Sequence, residues 1–154
     1  MKKLKLIPFL AVLFMLNVAS MCSNSDDNSP SPVDPTPVIN VATSGTWRIT
    51  LFNDSGSNET SNFTGYNFTF GSANVLTASN GTNTHLGTWS VTSDNSGDDS
   101  PSNDLDFNIA FASPLNFEEL TEDWNIISYT TTEIKLIHVS GGDGSIDYLT
   151  FVKN

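Results

Sequence analysis

The chain has 154 residues and a formal charge of −11, with 17 acidic residues against 6 basic ones and a single cysteine. Lys2, Lys3 and Lys5 lie at the N-terminus and every acidic residue follows Cys22, so the chain beyond the cysteine is more acidic still. Such a charge excludes a phosphate-reading surface and hence nucleic acid as a partner, and it opposes adsorption to anionic lipid. One cysteine excludes an intrachain disulfide and a zinc site built from cysteines.

Residues 1–21 carry a basic start at Lys2, Lys3 and Lys5, an apolar run from Leu6 to Leu16, and the small residues Ala19 and Ser20 just before Cys22. The apolar run is short for a membrane span, which needs about 20 apolar residues, and has the anatomy of an export signal. With a cysteine at the cleavage point, the segment resembles a bacterial lipoprotein signal. Ala19 and Met21 stand where that pattern usually has Leu and a Gly or Ala. The resemblance implies cleavage before Cys22, lipid on Cys22, and a membrane contact made through that lipid.

The run Ser23-Asn24-Ser25-Asp26-Asp27-Asn28 resembles the surface-export signal of Bacteroidetes lipoproteins, flavobacterial ones in particular. It implies an outer-membrane lipoprotein exposed at the cell surface. Pro30, Pro32, Pro35 and Pro37 follow at close spacing. Proline fixes φ and removes a donor, so the expectation for 22–43 is a disordered, largely polyproline II tether.

From residue 44 to 154 the pattern alternates with period two, the signature of half-buried strands. Trp47, Ile49 and Leu51 share one face of a first strand; Tyr66, Phe68 and Phe70 share one face of a second. Val75 to Ala78 makes a third, ending at Asn80-Gly81, and Leu86 to Val91 a fourth carrying Trp89. Leu105, Phe107, Ile109 and Phe111 alternate with polar residues or alanine in a fifth. Ser113 to Leu120 reads as one short helix, with Ser113 as cap and Pro114 at its first position. Trp124 to Tyr129, Ile134 to Val139 and Ile146 to Val152 complete eight strands, the last two separated by a glycine-rich turn. The strand signal alone fits an antiparallel barrel or a sandwich.

Gly45-Thr46-Trp47 recurs as Gly87-Thr88-Trp89, too short a match to establish a duplication. The first copy resembles the Gly-x-Trp opening of lipocalins. Tyr148 to Lys153 resembles the closing strand of bacterial lipocalin-like domains, and 46–153 as a whole is similar to small lipocalin-like lipoproteins of flavobacteria. The resemblance implies an all-β fold: an eight-stranded antiparallel up-and-down lipocalin-like barrel with one short helix. It also implies a basic residue, Lys153, packed across Trp47.

The residues assign no catalytic chemistry, no cofactor and no metal, and the expectation is a protein that is not an enzyme. His85 and His138 read as ordinary strand residues. Glu118, Glu119, Glu122 and Asp123 read as the solvated face of the helix. Asp94 to Asp99, with Asp104 and Asp106, supplies oxygens for calcium but lacks the EF-hand order and reads as an acidic loop. The sequons at Asn67 and Asn80 are chance matches in a chain rich in Asn and Thr. Two readings of function stay open. In one, Trp47, Phe68, Phe70, Trp89, Phe107 and Trp124 line a cavity for a small apolar ligand. In the other, the rings fill the barrel and the domain is a structural or protein-interaction module of the outer-membrane surface, with partners that the sequence does not name.

Overall fold

The computed structural model describes residues 33–93 and 104–154. The signal, Cys22 and most of the acidic 94–106 stretch lie outside the described residues.

In chain order the elements are α1 (Thr36–Ala42), β1 (Trp47–Asp54), β2 (Ser57–Asn58), a 3-10 turn at Thr60–Phe63, β3 (Asn67–Phe70), β4 (Val75–Ser79) and β5 (Thr84–Ser93). After them come β6 (Leu105–Phe111), α2 (Leu115–Glu118), β7 (Glu122–Tyr129), β8 (Glu133–Val139) and β9 (Ile146–Lys153). Each strand from β3 to β9 pairs antiparallel with the next, and β1 pairs with both β3 and β9. This closes an eight-stranded barrel, with the two-residue β2 as a short hairpin appended to β1. Closure decides against a sandwich and leaves only the two-residue β2 as an edge among the described strands. The ladder that closes it is long between β1 and β9, running from Trp47–Lys153 to Asn53–Tyr148. Between β1 and β3 it is the single pair Trp47–Phe68.

The alternation read from the sequence holds on β3 to β6 and on β8. It fails on β1, where the register shifts between Ile49 and Leu51. That bulge turns Leu51 outward, to 37% exposure, and sends Phe52 into the core in its place. A second shift lies between Ile126 and Ser128 on β7.

The expected tether is shorter than predicted at its C-terminal end. Residues 36–42 form α1, with Val38 and Ala42 fully buried. Proline at the start of a helix costs little, because the N–H it lacks would be unpaired there in any case. The Asp34 carboxylate accepts from the Thr36 N–H at 2.9 Å, and Val38 and Ala42 fall on one helical face. The apolar spacing Val38, Ile39, Val41, Ala42 therefore overrides the extended bias of the prolines. The short helix expected near Pro114 is present. It spans Leu115–Glu118, Pro114 rather than Ser113 stands at its N-cap, and Glu122 and Asp123 belong to β7.

One end of the barrel carries α1, the β3–β4 connection, the β7–β8 turn and the C-terminus. The Trp47 indole N–H donates to the Ala42 carbonyl at 2.8 Å. Lys153 Nζ lies 5.9 Å from the Trp47 ring centre and donates to Ser44 Oγ at 2.8 Å. The contact implied by the lipocalin resemblance is thus present, as a cation–π pair. Gly45 permits it, since a Cβ there would stand 2.7 Å from Lys153 Cε. The second Gly-Thr-Trp has a different reason for its glycine. A Cβ on Gly87 would overlap the Ala110 carbonyl oxygen and stand 2.8 Å from Phe111 Cδ1, because the Phe111 ring lies over this position. Gly87→Ala should lower the unfolding free energy by about 1–3 kcal/mol through overpacking, read from urea denaturation; an unchanged midpoint would contradict this packing.

Candidate functional site

All six rings proposed as ligand contacts point into the barrel and are buried: Trp47, Phe68, Phe70, Trp89, Phe107 and Trp124. Five of them lie within contact distance of another ring, and Trp47 meets Lys153 instead. From the end that carries α2, Phe117 packs on Phe68 at 6.1 Å between ring centres, Phe68 on Phe151 at 5.4 Å, and Phe151 on Phe70 at 5.3 Å. Phe70 meets Phe107 at 5.3 Å and Trp89 at 5.2 Å. This column of mostly edge-to-face contacts runs the length of the interior, the arrangement that aromatic quadrupoles prefer. Eight strands enclose a space only just wide enough for side chains.

Two residues that the alternation did not single out complete the filling. Phe63, on the 3-10 turn, meets Phe52 at 5.5 Å and Phe117 at 5.2 Å. Phe117, on α2, also meets Tyr66 at 5.1 Å, Phe111 at 5.2 Å and the His85 ring at 4.5 Å. Both lie off the strands, where period-two alternation carries no information. The available signal is that each is the lone phenylalanine in its connection. Each tryptophan indole has a carbonyl partner: Ala42 for Trp47, Gly71 for Trp89 at 2.9 Å, and Leu120 for Trp124 at 3.1 Å. No indole N–H is left to greet a ligand.

The two histidines are not brought together. His85 Nε2 lies 3.3 Å from the Tyr66 hydroxyl, under Phe117. His138 stands on β8 near the α2 end of the barrel, its side chain 17% exposed and its ring 6.1 Å from Trp124. Its Nε2 is 3.5 Å from Glu122 Oε2, and its Nδ1 is 3.6 Å from Asp123 Oδ1. These acids were expected on a solvated helix. They meet His138 because they begin β7, antiparallel to β8.

The same end gathers further carboxylates. Asp147 pairs with His138 across β8–β9 and accepts from the Ser55 N–H at 2.7 Å. Glu122 is held above the usual carboxylate range by partial burial, which outweighs the attraction of His138, with Asp123, Asp147 and Asp54 adding repulsion. Glu119 is raised as well, by burial and then by Asp54 and Glu59. The three basic residues that follow Cys22 are engaged elsewhere. Arg48 donates to Asn154 at 3.2 Å, Lys135 pairs with Glu133 at 3.0 Å, and Lys153 covers Trp47. An open groove of about 370 Å³ on the outer wall over β5–β7 borders Glu122 and Asp123.

Of the acidic stretch from Asp94 to Asp106, only Asp104 to Asp106 is described, with Asp104 and Asp106 its described acids. Asn125 Nδ2 donates to both, at 3.2 and 3.4 Å.

No family model matches the chain, and no curated protein matches it. A solved structure of a DUF4847 family protein from Bacteroides vulgatus is similar, with a TM-score of 0.45 and 19% identity over 76% of this chain and 97% of that one.

A raised carboxyl pKa has a definite consequence for stability. The folded state holds the Glu122 proton more tightly than the unfolded chain, whose value is near 4.5. Glu122 therefore opposes folding at neutral pH, and that penalty is relieved as pH falls through the folded value toward 4.5. With chelator present, Glu122→Gln should raise the melting temperature at pH 7 and narrow its advantage over the parent as pH falls toward 4.5. A variant that melts lower than the parent at pH 7 would refute the sign.

Proposed function

We propose that the protein is a lipid-anchored component of the cell envelope, held through Cys22 at the outer-membrane surface, whose barrel is a packed, non-catalytic interaction module. The observation that carries this reading is the unbroken column of rings from Phe117 to Phe107 inside the barrel. A carrier of small apolar molecules needs a cavity of about 300 Å³ or more that buries most of the ligand. Here the side chains that would line it occupy that space themselves.

The outer wall supports an interaction role. Val139 pairs with Ile146 and Ile137 with Tyr148 across β8–β9, and Val139, Ile146 and Tyr148 are exposed there. Leu86 is exposed too, at 67%, on β5. Contacts made by such a barrel fall on its walls and ends. The anchor reading rests on the basic, apolar and small segments before Cys22 and on the polar run after it.

Two measurements test the two halves. Titration with fatty acids and with a fluorescent apolar dye should leave tryptophan emission and dye emission unchanged. Saturable one-to-one quenching would restore the ligand reading. Cys22→Ser should move the protein from the membrane fraction to the soluble fraction without changing its circular dichroism. Retention of the variant in membranes would remove the anchor.

A further inference from the structure

We propose that Glu122, Asp123 and His138 form a binding site for a divalent first-row transition-metal cation at the α2 end of the barrel. This goes beyond the envelope reading and does not depend on it.

The three side chains come from two adjacent strands, so their backbones are held by the sheet rather than by a loop. Their ligand atoms all lie within 4.8 Å of one another. The spacing is informative. Glu122 Oε2 stands 3.5 Å from His138 Nε2, while Nδ1, on the other side of the ring, faces the Asp123 backbone carbonyl at 3.5 Å and Asp123 Oδ1 at 3.6 Å. Two donors bound to one zinc ion at about 2.0–2.1 Å and a tetrahedral angle stand about 3.4 Å apart. A cation takes one nitrogen of the ring, so the Nε2–Glu122 separation suits two ligands of a common ion, and the Asp123 carbonyl at Nδ1 would orient the ring from behind. Trp124 packs edge-on against the His138 ring and limits its reorientation.

The charge around the cluster points the same way. Asp147 stands opposite His138 across β8–β9, and the basic side chains among the described residues lie on other partners. A bound cation would supply the positive charge that the fold omits at this end. The donor set selects the class. One imidazole with two carboxylates suits zinc and its neighbours. Calcium takes six to eight oxygens, and the cluster offers too few of them. Three protein ligands near the surface leave a fourth position for water or for a group on a partner.

The test uses the full-length chain carrying Cys22→Ser in detergent, so that no thiol contributes. Calorimetric titration with zinc chloride should give one ion per chain, and calcium chloride should give no heat of binding. His138→Ala and the double variant Glu122→Gln/Asp123→Asn should each weaken zinc binding by about 100-fold, the upper end for loss of a supporting group and a fair minimum for a direct ligand. Histidine ring nitrogen resonances should shift for His138 on zinc addition and stay in place for His85. These spectra decide the matter even where His138→Ala fails to fold. Absence of zinc binding by the parent, unchanged affinity in the folded variants, or a shift at His85 in place of His138 would overturn the proposal.

Discussion

Ring-on-ring packing inside a closed barrel is the interaction on which the rest of this structure depends. The chain has one cysteine and so cannot cross-link itself. Its fold must rest on buried apolar surface, and rings supply the largest of the buried side chains. Phe68 and Phe70 lie on β3 and Phe151 on β9, and their contacts tie the two strands through the interior. This matters because β1 and β3 share only one ladder pair. Around that thin seam, Phe52, Phe63 and Phe68 supply the cohesion that hydrogen bonds do not.

The two ends of the barrel are closed by different means, with different consequences. At one end α1, Trp47 and Lys153 form a plug in which a helix carbonyl, an indole and an ammonium each satisfy the next. The other end is closed by the rings of Phe63 and Phe117, beneath a rim of carboxylates. Among the described residues, the basic groups are engaged away from that rim. Crowding carboxylates at one rim is an unfavourable arrangement to leave uncompensated. It makes this end, rather than the interior, the place where an outside cation or partner has most to gain.

Much of the fold was legible from the strands. Alternation such as Leu105, Phe107, Ile109, Phe111 admits one inward face, and that face is the buried one for Phe107, Ile109 and Phe111. What escaped has identifiable physical causes. The bulge after Ile49 exchanges Leu51 for Phe52, and a bulge leaves no mark in a pattern of apolar residues. Helix α1 sits where four prolines suggested an extended chain, because proline is as compatible with a first helical turn as with polyproline II. The cluster at His138 was illegible for a third reason. The register shift near Ile127 sets which β7 residues meet β8, with Asn125 opposite Ile137 and Trp124 next in line toward His138. Counting back from the β7–β8 turn without that shift places Glu122 and Asp123 one position away. The rings Phe63 and Phe117 lie in connections, where burial follows tertiary closure rather than periodicity.

The central claim is that the barrel interior is full. Crystals pressurised with xenon test it most directly, since xenon enters apolar cavities of modest size without needing polar partners. The packing described for Phe68, Phe70, Phe107, Phe117 and Phe151 predicts no xenon density inside the barrel. A well-occupied xenon site among those rings would contradict it and return the protein to the class of small-ligand carriers.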